Sequence, residues 1–131
     1  MTRDIKNIVK PIVILGSKTA ETCDTQNVDR KGYESLMFMD IRGAGSWTSS
    51  NHVTVKMEHS DDGTDFTEVP AALMQGEYAD PQATTTDRTV ATYGYLGDKR
   101  YVRLSYTLAG TVTDETTEAI AILGHPQYTP V

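Results

Sequence analysis

The acidic segment at residues 60–65 (SDDGTD) is the densest group of side chains in this sequence that could do chemistry. Its carboxylates, on Asp61, Asp62 and Asp65, are oxygen ligands of the kind that calcium prefers. The spacing is not that of an EF-hand loop, because the glutamate at the twelfth loop position and the two flanking helices are missing. The same residues suit a tight turn, since Asp bonds nearby backbone groups and Gly63 tolerates a positive φ. A turn therefore explains this segment without a metal ion.

The histidines and the single cysteine do not form a recognisable site either. His52 and His59 are seven residues apart, which places them on opposite faces of a regular strand. His125 is distant from both, and neither an HExxH nor a CxxC motif occurs. Cys23 is the one cysteine, so no disulfide can form within the chain, and the expected role is that of a small buried hydrophobe. We predict no metal ion and no cofactor.

Motifs for nucleophilic or nucleotide-dependent catalysis are also missing. The sequence contains no GxSxG, Walker-type or GxGxxG pattern. The nearest match, Gly43-Ala44-Gly45, leads into Trp47 rather than into a helix. Two carboxylates could act as an acid–base pair, but nothing in the sequence brings two of them together. We predict that the chain is not an enzyme and has no catalytic residue.

Length and charge narrow the class of protein. A chain of 131 residues corresponds to one domain that can bury a core without disulfides. The net charge of −6 disfavours nucleic acid or an anionic membrane as a partner. Residues 57–87 contain eight acidic side chains and no lysine or arginine, whereas residues 1–31 contain six basic and four acidic ones. This asymmetry fits a solvated acidic surface, or a head-to-tail contact between the basic arm of one copy and the acidic face of another.

The elements that must position these residues are strands. Apolar and polar residues alternate in residues 52–58 and 100–108, and turn residues separate such runs along the chain. This pattern predicts an all-β fold, an antiparallel β-sandwich that is jelly-roll-like, with about seven or eight strands. Residues 33–41 are apolar on both faces, which predicts a strand buried on both sides or covered by a partner subunit on one. Arg103 is expected to pair across the sheet with Glu58.

Three regions are expected along the chain. Residues 1–11 form an N-terminal arm that Pro11 ends, residues 12–123 form the β-sandwich domain, and residues 124–131 form a C-terminal tail. The apolar run near residue 12 is too short to span a membrane and is interrupted by Lys10 and Pro11. No targeting segment is recognisable, so we expect synthesis in the cytoplasm.

Tyrosine provides most of the aromatic content and is common in protein interfaces, because its ring is apolar and its hydroxyl is polar. We predict an interface that uses Tyr128 with Tyr93 or Tyr95, while other tyrosines line the core. Trp47, beside a glycine-rich loop, is either a core residue or an interface anchor. The predicted interface residues are therefore Trp47, Tyr93, Tyr95, Tyr128 and, on the arm, Ile5 and Ile8.

Two resemblances follow from these motifs. Residues 53–69 (VTVKMEHSDDGTDFTEV) and 99–106 (KRYVRLSY) resemble the paired strands of discoidin-type (coagulation factor 5/8 C-type) domains. The whole layout is similar to small virion proteins of tailed bacteriophages and prophages. That layout has a charged arm, the strand in DRKGYESLMFMDIRGAG, the SDDGTDF hairpin, the YVRLSYT strand and a proline-containing tail.

The second resemblance implies a role in capsid decoration or head completion. We therefore hypothesise a structural virion protein that binds the capsid surface and stabilises it. Its partners would be the major capsid protein and other copies of itself, with a homotrimer favoured because capsid lattices offer threefold sites. The resemblance implies location in the virion, and the net charge of −6 predicts no nucleic-acid or membrane partner. The alternatives are a carbohydrate-binding module of discoidin-like type and a head–tail completion protein.

Overall fold

The computed structural model describes residues 3–127, which form strands connected by turns. The strands are β1 (Val9–Thr19), β2 (Cys23–Asp24), β3 (Val28–Asp29), β4 (Tyr33–Arg42), β5 (Gly45–Ser46), β6 (His52–Ser60), β7 (Thr67–Glu68), β8 (Met74–Gln75), β9 (Thr84–Thr85), β10 (Thr89–Tyr95), β11 (Tyr101–Ala109) and β12 (Thr116–Pro126). The one helical segment in this part of the chain is a 3₁₀ turn at Ala71–Leu73. Within residues 3–127, no helix has the length and apolar character needed to cross a bilayer.

The strands form two main antiparallel sheets. The first sheet has the order β1-β12-β4-β10-β8, and the second has the order β2-β11-β6-β7, with β3 also paired to β11. We take β2 and β3 as one interrupted strand and leave aside the two-residue edge strand β8. Each layer then has four strands, in the orders β1-β12-β4-β10 and β2/β3-β11-β6-β7. Successive strands alternate between the layers at most connections, which is the connectivity of a jelly roll. The predicted antiparallel all-β sandwich is therefore confirmed.

The number of strands is higher than predicted. Residues 3–127 contain twelve strands, and six of them are only two residues long. Periodicity cannot identify such short strands, because two residues do not complete a single alternation between the faces of a sheet. The remaining six strands carry the architecture and coincide with the apolar–polar patterns.

The ends of the sandwich extend beyond the bounds expected for the arm and the tail. β1 begins at Val9, two residues before Pro11, and β12 continues to Pro126. Proline is tolerated in β1 because this strand lies at the edge of the first sheet and does not donate hydrogen bonds on both sides. The pairing of β1 with β12 is also irregular, with register shifts after Val13 and after Leu15.

One hydrophobic core fills the space between the sheets. Phe38 and Ala121 from the first sheet and Met57 and Leu104 from the second are all 0% exposed. Alternation decides which residues enter this core, since successive side chains of a strand point to opposite faces. In β4 the even-numbered residues from Leu36 onwards point inward, so only one of the two apolar faces predicted for this strand is in the core.

The predicted turn and cross-strand pair are both present. β6 and β7 pair antiparallel around residues 60–66, although the returning strand is only two residues long. Gly63 has a φ of 78°, which explains the glycine at this position. Arg103 Nε donates to Glu58 Oε1 at 3.0 Å, as predicted.

Candidate functional site

The outer face of the first sheet is unusually apolar for the exposed side of a sandwich. It is built from the residues of β1, β12, β4 and β10 that point away from the core. We call this set the outer apolar face; its members are Pro11, Val13, Met37, Met39, Ile41, Val90, Ile120 and Ile122. Val13 is 58% exposed and Val90 is 53% exposed, while the methionines and isoleucines are half-buried by their neighbours. A contiguous apolar surface of this kind is typical of an interaction site.

Strand register places these side chains in rows that run across the sheet. Val13 of β1 pairs with Ile120 of β12, and Ile120 pairs with Met39 of β4. In β10 this row ends at the polar Thr92. The next row contains Ile122 and Met37 and ends at Gly94 of β10. Because outward residues of neighbouring antiparallel strands lie side by side, each row forms one apolar ridge.

A groove lies at one end of the same face, with a volume of about 730 Å³. Ser35, Gly94 and Gly124, which have small side chains or none, are among the residues that line it. Ile8 and Leu96 border it, and Leu96 is 54% exposed. The groove exists because the apolar ridges stop where these small residues begin.

The outer apolar face carries little net charge. Glu118 pairs with Ile41 in the sheet, and its Oε2 lies 3.4 Å from Arg88 Nη1 at the rim. This pair is exposed and adds little to stability. The opposite charges of Glu118 and Arg88 therefore compensate each other at the rim of the outer apolar face.

The described part of the N-terminal arm lies beside the groove. Asp4 folds it into a turn, because its Oδ1 accepts a hydrogen bond from the Asn7 backbone N–H at 3.2 Å. The Ile8 N–H donates to the Ile5 carbonyl at 3.2 Å. Ile5 is 68% exposed and Ile8 is 38% exposed, so both are accessible to a partner, and their interface role stays a prediction.

The aromatic residues expected at an interface are placed differently. Trp47, Tyr93 and Tyr95 are at most 5% exposed, so their side chains have almost no surface to offer a partner. Of the two roles considered for Trp47, the structure assigns the core, where its Nε1 donates to the Gly43 carbonyl at 3.1 Å. Tyr128 lies outside the described residues. These positions correct the interface role predicted for Tyr93 or Tyr95, and for Trp47 they select the core role of the two that were considered. Large rings face the core because burial there removes the most apolar area from water.

Two opposite charges lie inside the core, which the sequence analysis did not anticipate. Asp40 is 0% exposed and Arg42 is 1% exposed. The Asp40 carboxylate accepts hydrogen bonds from Arg42, from Tyr93 Oη at 2.8 Å and from Tyr106 Oη at 2.9 Å. Arg42 also donates to the Val53 carbonyl at 2.9 Å. The sequence signal was available, since Asp40 and Arg42 continue the inward-facing alternation of β4.

This network has the properties of a structural element and not of a catalytic one. Burial, together with the negative charge of Asp40, raises the pKa of both Tyr93 and Tyr106 well above the usual range. Both tyrosines therefore remain protonated and keep donating to Asp40. A carboxylate surrounded in this way is shielded from solvent and from any substrate.

His59 and the acidic turn are also engaged in the fold. His59 is buried, and its Nδ1 lies 2.8 Å from Tyr95 Oη. In the acidic turn, Asp62 Oδ1 accepts from the Thr64 and Asp65 N–H groups at 2.8 and 3.0 Å. These hydrogen bonds, of which that from Asp65 has the larger effect, lower the pKa of Asp62 to about 2. Asp62 therefore caps its own loop, and residues 3–127 contain no cluster of three His, Cys, Asp or Glu side chains that suits a metal ion.

Comparison with known proteins provides little further guidance. No protein-family model matches the chain, and no curated protein sequence matches it. Among solved structures, the chain is similar to a protein of Bacillus endospore appendages, which form a family of disulfide-linked pili. The two are 11% identical, the match covers 96% of each chain, and the TM-score is 0.45. A likeness at this score does not indicate a shared function.

Proposed function

We propose that this chain is a structural virion protein of the capsid-decoration type, which binds the capsid surface and stabilises it without catalysis. The observation that carries the proposal is the outer apolar face. The core between the sheets is already filled, so folding of one chain does not require a second apolar surface. Exposed apolar side chains in contiguous rows favour a protein that is covered by another protein in its working state.

The use of ionisable groups supports a role in assembly over one in turnover. The buried charges at Asp40 and Arg42 are paired with each other and with neutral donors or acceptors. The carboxylate of Glu115 accepts backbone hydrogen bonds from Ser46 and Thr113 at 2.9 and 3.1 Å. Groups held in this way stabilise loops and strands, whereas catalysis requires an ionisable group that can reach a substrate.

The proposed mechanism is cooperative attachment to a lattice. The exposed Ile5 and Ile8 of the arm would contact the major capsid protein, and the outer apolar face would contact a neighbouring copy. Each contact is modest, but a copy already held at one site encounters its second site at a high effective concentration. Many copies therefore bind together more tightly than one copy binds alone.

Mass spectrometry of purified particles from the host that carries this gene tests the proposal directly. We expect the chain in the particles, and cryo-electron microscopy should place it repeatedly over the head lattice. Density confined to the head–tail vertex would instead favour head completion. Purified particles that lack the chain would reject a virion role.

A matched pair of variants tests the predicted contribution of the arm. Ile5→Asp places a charge on an exposed arm residue, and we expect it to reduce the number of copies bound per particle. Thr107→Asp, on the exposed outer side of the second sheet, is the control and should bind as the unmodified chain does. Equal loss of binding in both variants would contradict a specific contact through the arm.

A further inference from the structure

We propose that the outer apolar face binds the same face of a second copy of this chain. A two-fold axis across the strands relates the two copies, so that one end of each strand lies opposite the other end of the same strand in the partner. The inference rests on the proposed assembly role and names one of its partners. We infer a second copy as its occupant because the register places bulky apolar side chains at one end of the face and the groove lies at the other.

The outer apolar face differs between its two ends. One end carries the bulky side chains of Met39, Ile41 and Val90, and the other carries the groove lined by Ser35 and Gly94. A two-fold axis that crosses the strands between these ends brings the bulky side chains of each copy over the groove of the other. In β10 this axis passes near Tyr93, so Val90 of one copy lies opposite Leu96 of its partner.

Charge also favours a copy of the chain over a charged partner. The molecule has a net charge of −6, which opposes the association of two copies wherever those charges meet. On the face itself, Glu118 is compensated by Arg88, and the rows beyond it carry no charged side chain. Two copies can therefore approach through this face without bringing uncompensated charges together.

The face has the size that a stable pair requires. Four strands about 4.8 Å apart and about seven residues of ~3.4 Å each give an outline of roughly 20 Å by 24 Å. Accessible area exceeds a flat outline, and Leu96 adds to it, so the face provides on the order of 600 Å² per copy, near the lower end of the range for stable interfaces. Because a two-fold axis matches each face with one other face, this contact predicts a pair, in contrast to the trimer expected from the sequence.

Light scattering coupled to size-exclusion chromatography tests the association. At micromolar concentration we expect twice the chain mass of 14.4 kDa. Val13→Lys and Val90→Lys, at exposed positions that leave the monomer core intact, should weaken the pair by at least about tenfold. Thr107→Lys, on the other sheet, is the control and should remain paired. A monomeric unmodified chain, or an equal effect of all three substitutions, would overturn the proposal.

Cross-linking tests the exchanged strand ends. In a Cys23→Ser background, Val90→Cys protein is mixed with Leu96→Cys protein and treated with a bismaleimide that spans about 10 Å, the distance between packed sheets. We expect the mixed cross-linked species to exceed either self-linked species. Predominant self-linking at either position would overturn this arrangement. If the chain is monomeric but present in particles, the pair is refuted and the virion role stands. If the chain forms the pair but is absent from particles, the virion role is refuted and the pair stands.

Discussion

The carboxylate of Asp40 lies 2.9 Å from Nε of Arg42, two residues further along the same strand, and both side chains are enclosed by the core. Their position follows from alternation, since residues i and i+2 of a strand share a face. Both charges were removed from water when the sheets packed. The hydrogen bonds that each receives or donates must therefore replace those that water provided.

Removing one charge of this pair should destabilise the protein strongly. Asp40→Ala leaves Arg42 buried without its carboxylate, and we expect the free energy of unfolding to fall by about 3–5 kcal/mol. Urea denaturation followed by circular dichroism measures this change. Asp61→Asn, which removes an exposed partner of Lys99, is the control and should leave the denaturation midpoint almost unchanged. Similar losses in both variants would contradict a special role for the buried pair.

Tyr106 should contribute to the same network through its hydroxyl. Tyr106→Phe removes one donor from Asp40 and keeps the ring, so we expect a loss of about 1–3 kcal/mol in the free energy of unfolding. Tyr101→Phe, on the outer side of the same strand, is the matched control and should cost less than about 0.5 kcal/mol. Urea denaturation compares the two. A neutral Tyr106→Phe variant would show that the hydroxyl is dispensable to Asp40.

His59 should make stability depend on pH near neutrality. Burial, followed by the positive charge of Lys99, lowers the pKa of His59 from 6.5 in the folded chain. The unfolded chain therefore binds a proton more readily as the pH falls through 6.5, and the free energy of unfolding should decrease. Thermal unfolding measured across this interval should show a smaller change in His59→Gln. Parallel profiles for variant and parent would contradict this assignment.

Asp62 should contribute to stability only while it is ionised. Its folded pKa is lowered to about 2, because the backbone N–H groups of Asp65 and Thr64 donate to the charged carboxylate. The contribution is present above the ordinary value of 3.8 and is lost as the pH falls through about 2. Asp62→Asn retains an oxygen acceptor but not the charge. Between pH 3.8 and about 2, the melting temperature of this variant should therefore fall less than that of the parent chain. An acid profile identical to that of the parent would contradict the prediction.

The parts of the fold that were predicted correctly follow from local patterns in the sequence, which in one case also indicated a pair across two strands. The strand before residue 60, the turn at Gly63 and the pair formed by Glu58 and Arg103 follow from alternation and turn chemistry. The two-residue strands were not predicted, because they exist only where a distant strand pairs with them. The surface that we propose as functional was indicated only by the two apolar faces of residues 33–41.

The aromatic residues show why surface positions were harder to predict. Tyr93 and Tyr95 share one face of β10, and Val90 lies on the other. Alternation places the tyrosines and Val90 on opposite faces of the strand, but it does not determine which face points inward. Packing against the second sheet decided that question, and it placed the tyrosines beside Asp40 and His59, where their hydroxyls form hydrogen bonds.

By itself, the sequence determined the class of the fold, the antiparallel arrangement and the absence of recognisable catalytic motifs, because these follow from composition, short-range periodicity and turn residues. Only the tertiary structure decided which face of each strand is buried, that Asp40 and Arg42 pair inside the core, and that outward residues of four strands form one apolar surface. The physical reason is that burial and lateral pairing depend on strands far apart in the chain. Local alternation specifies two faces but not what covers them.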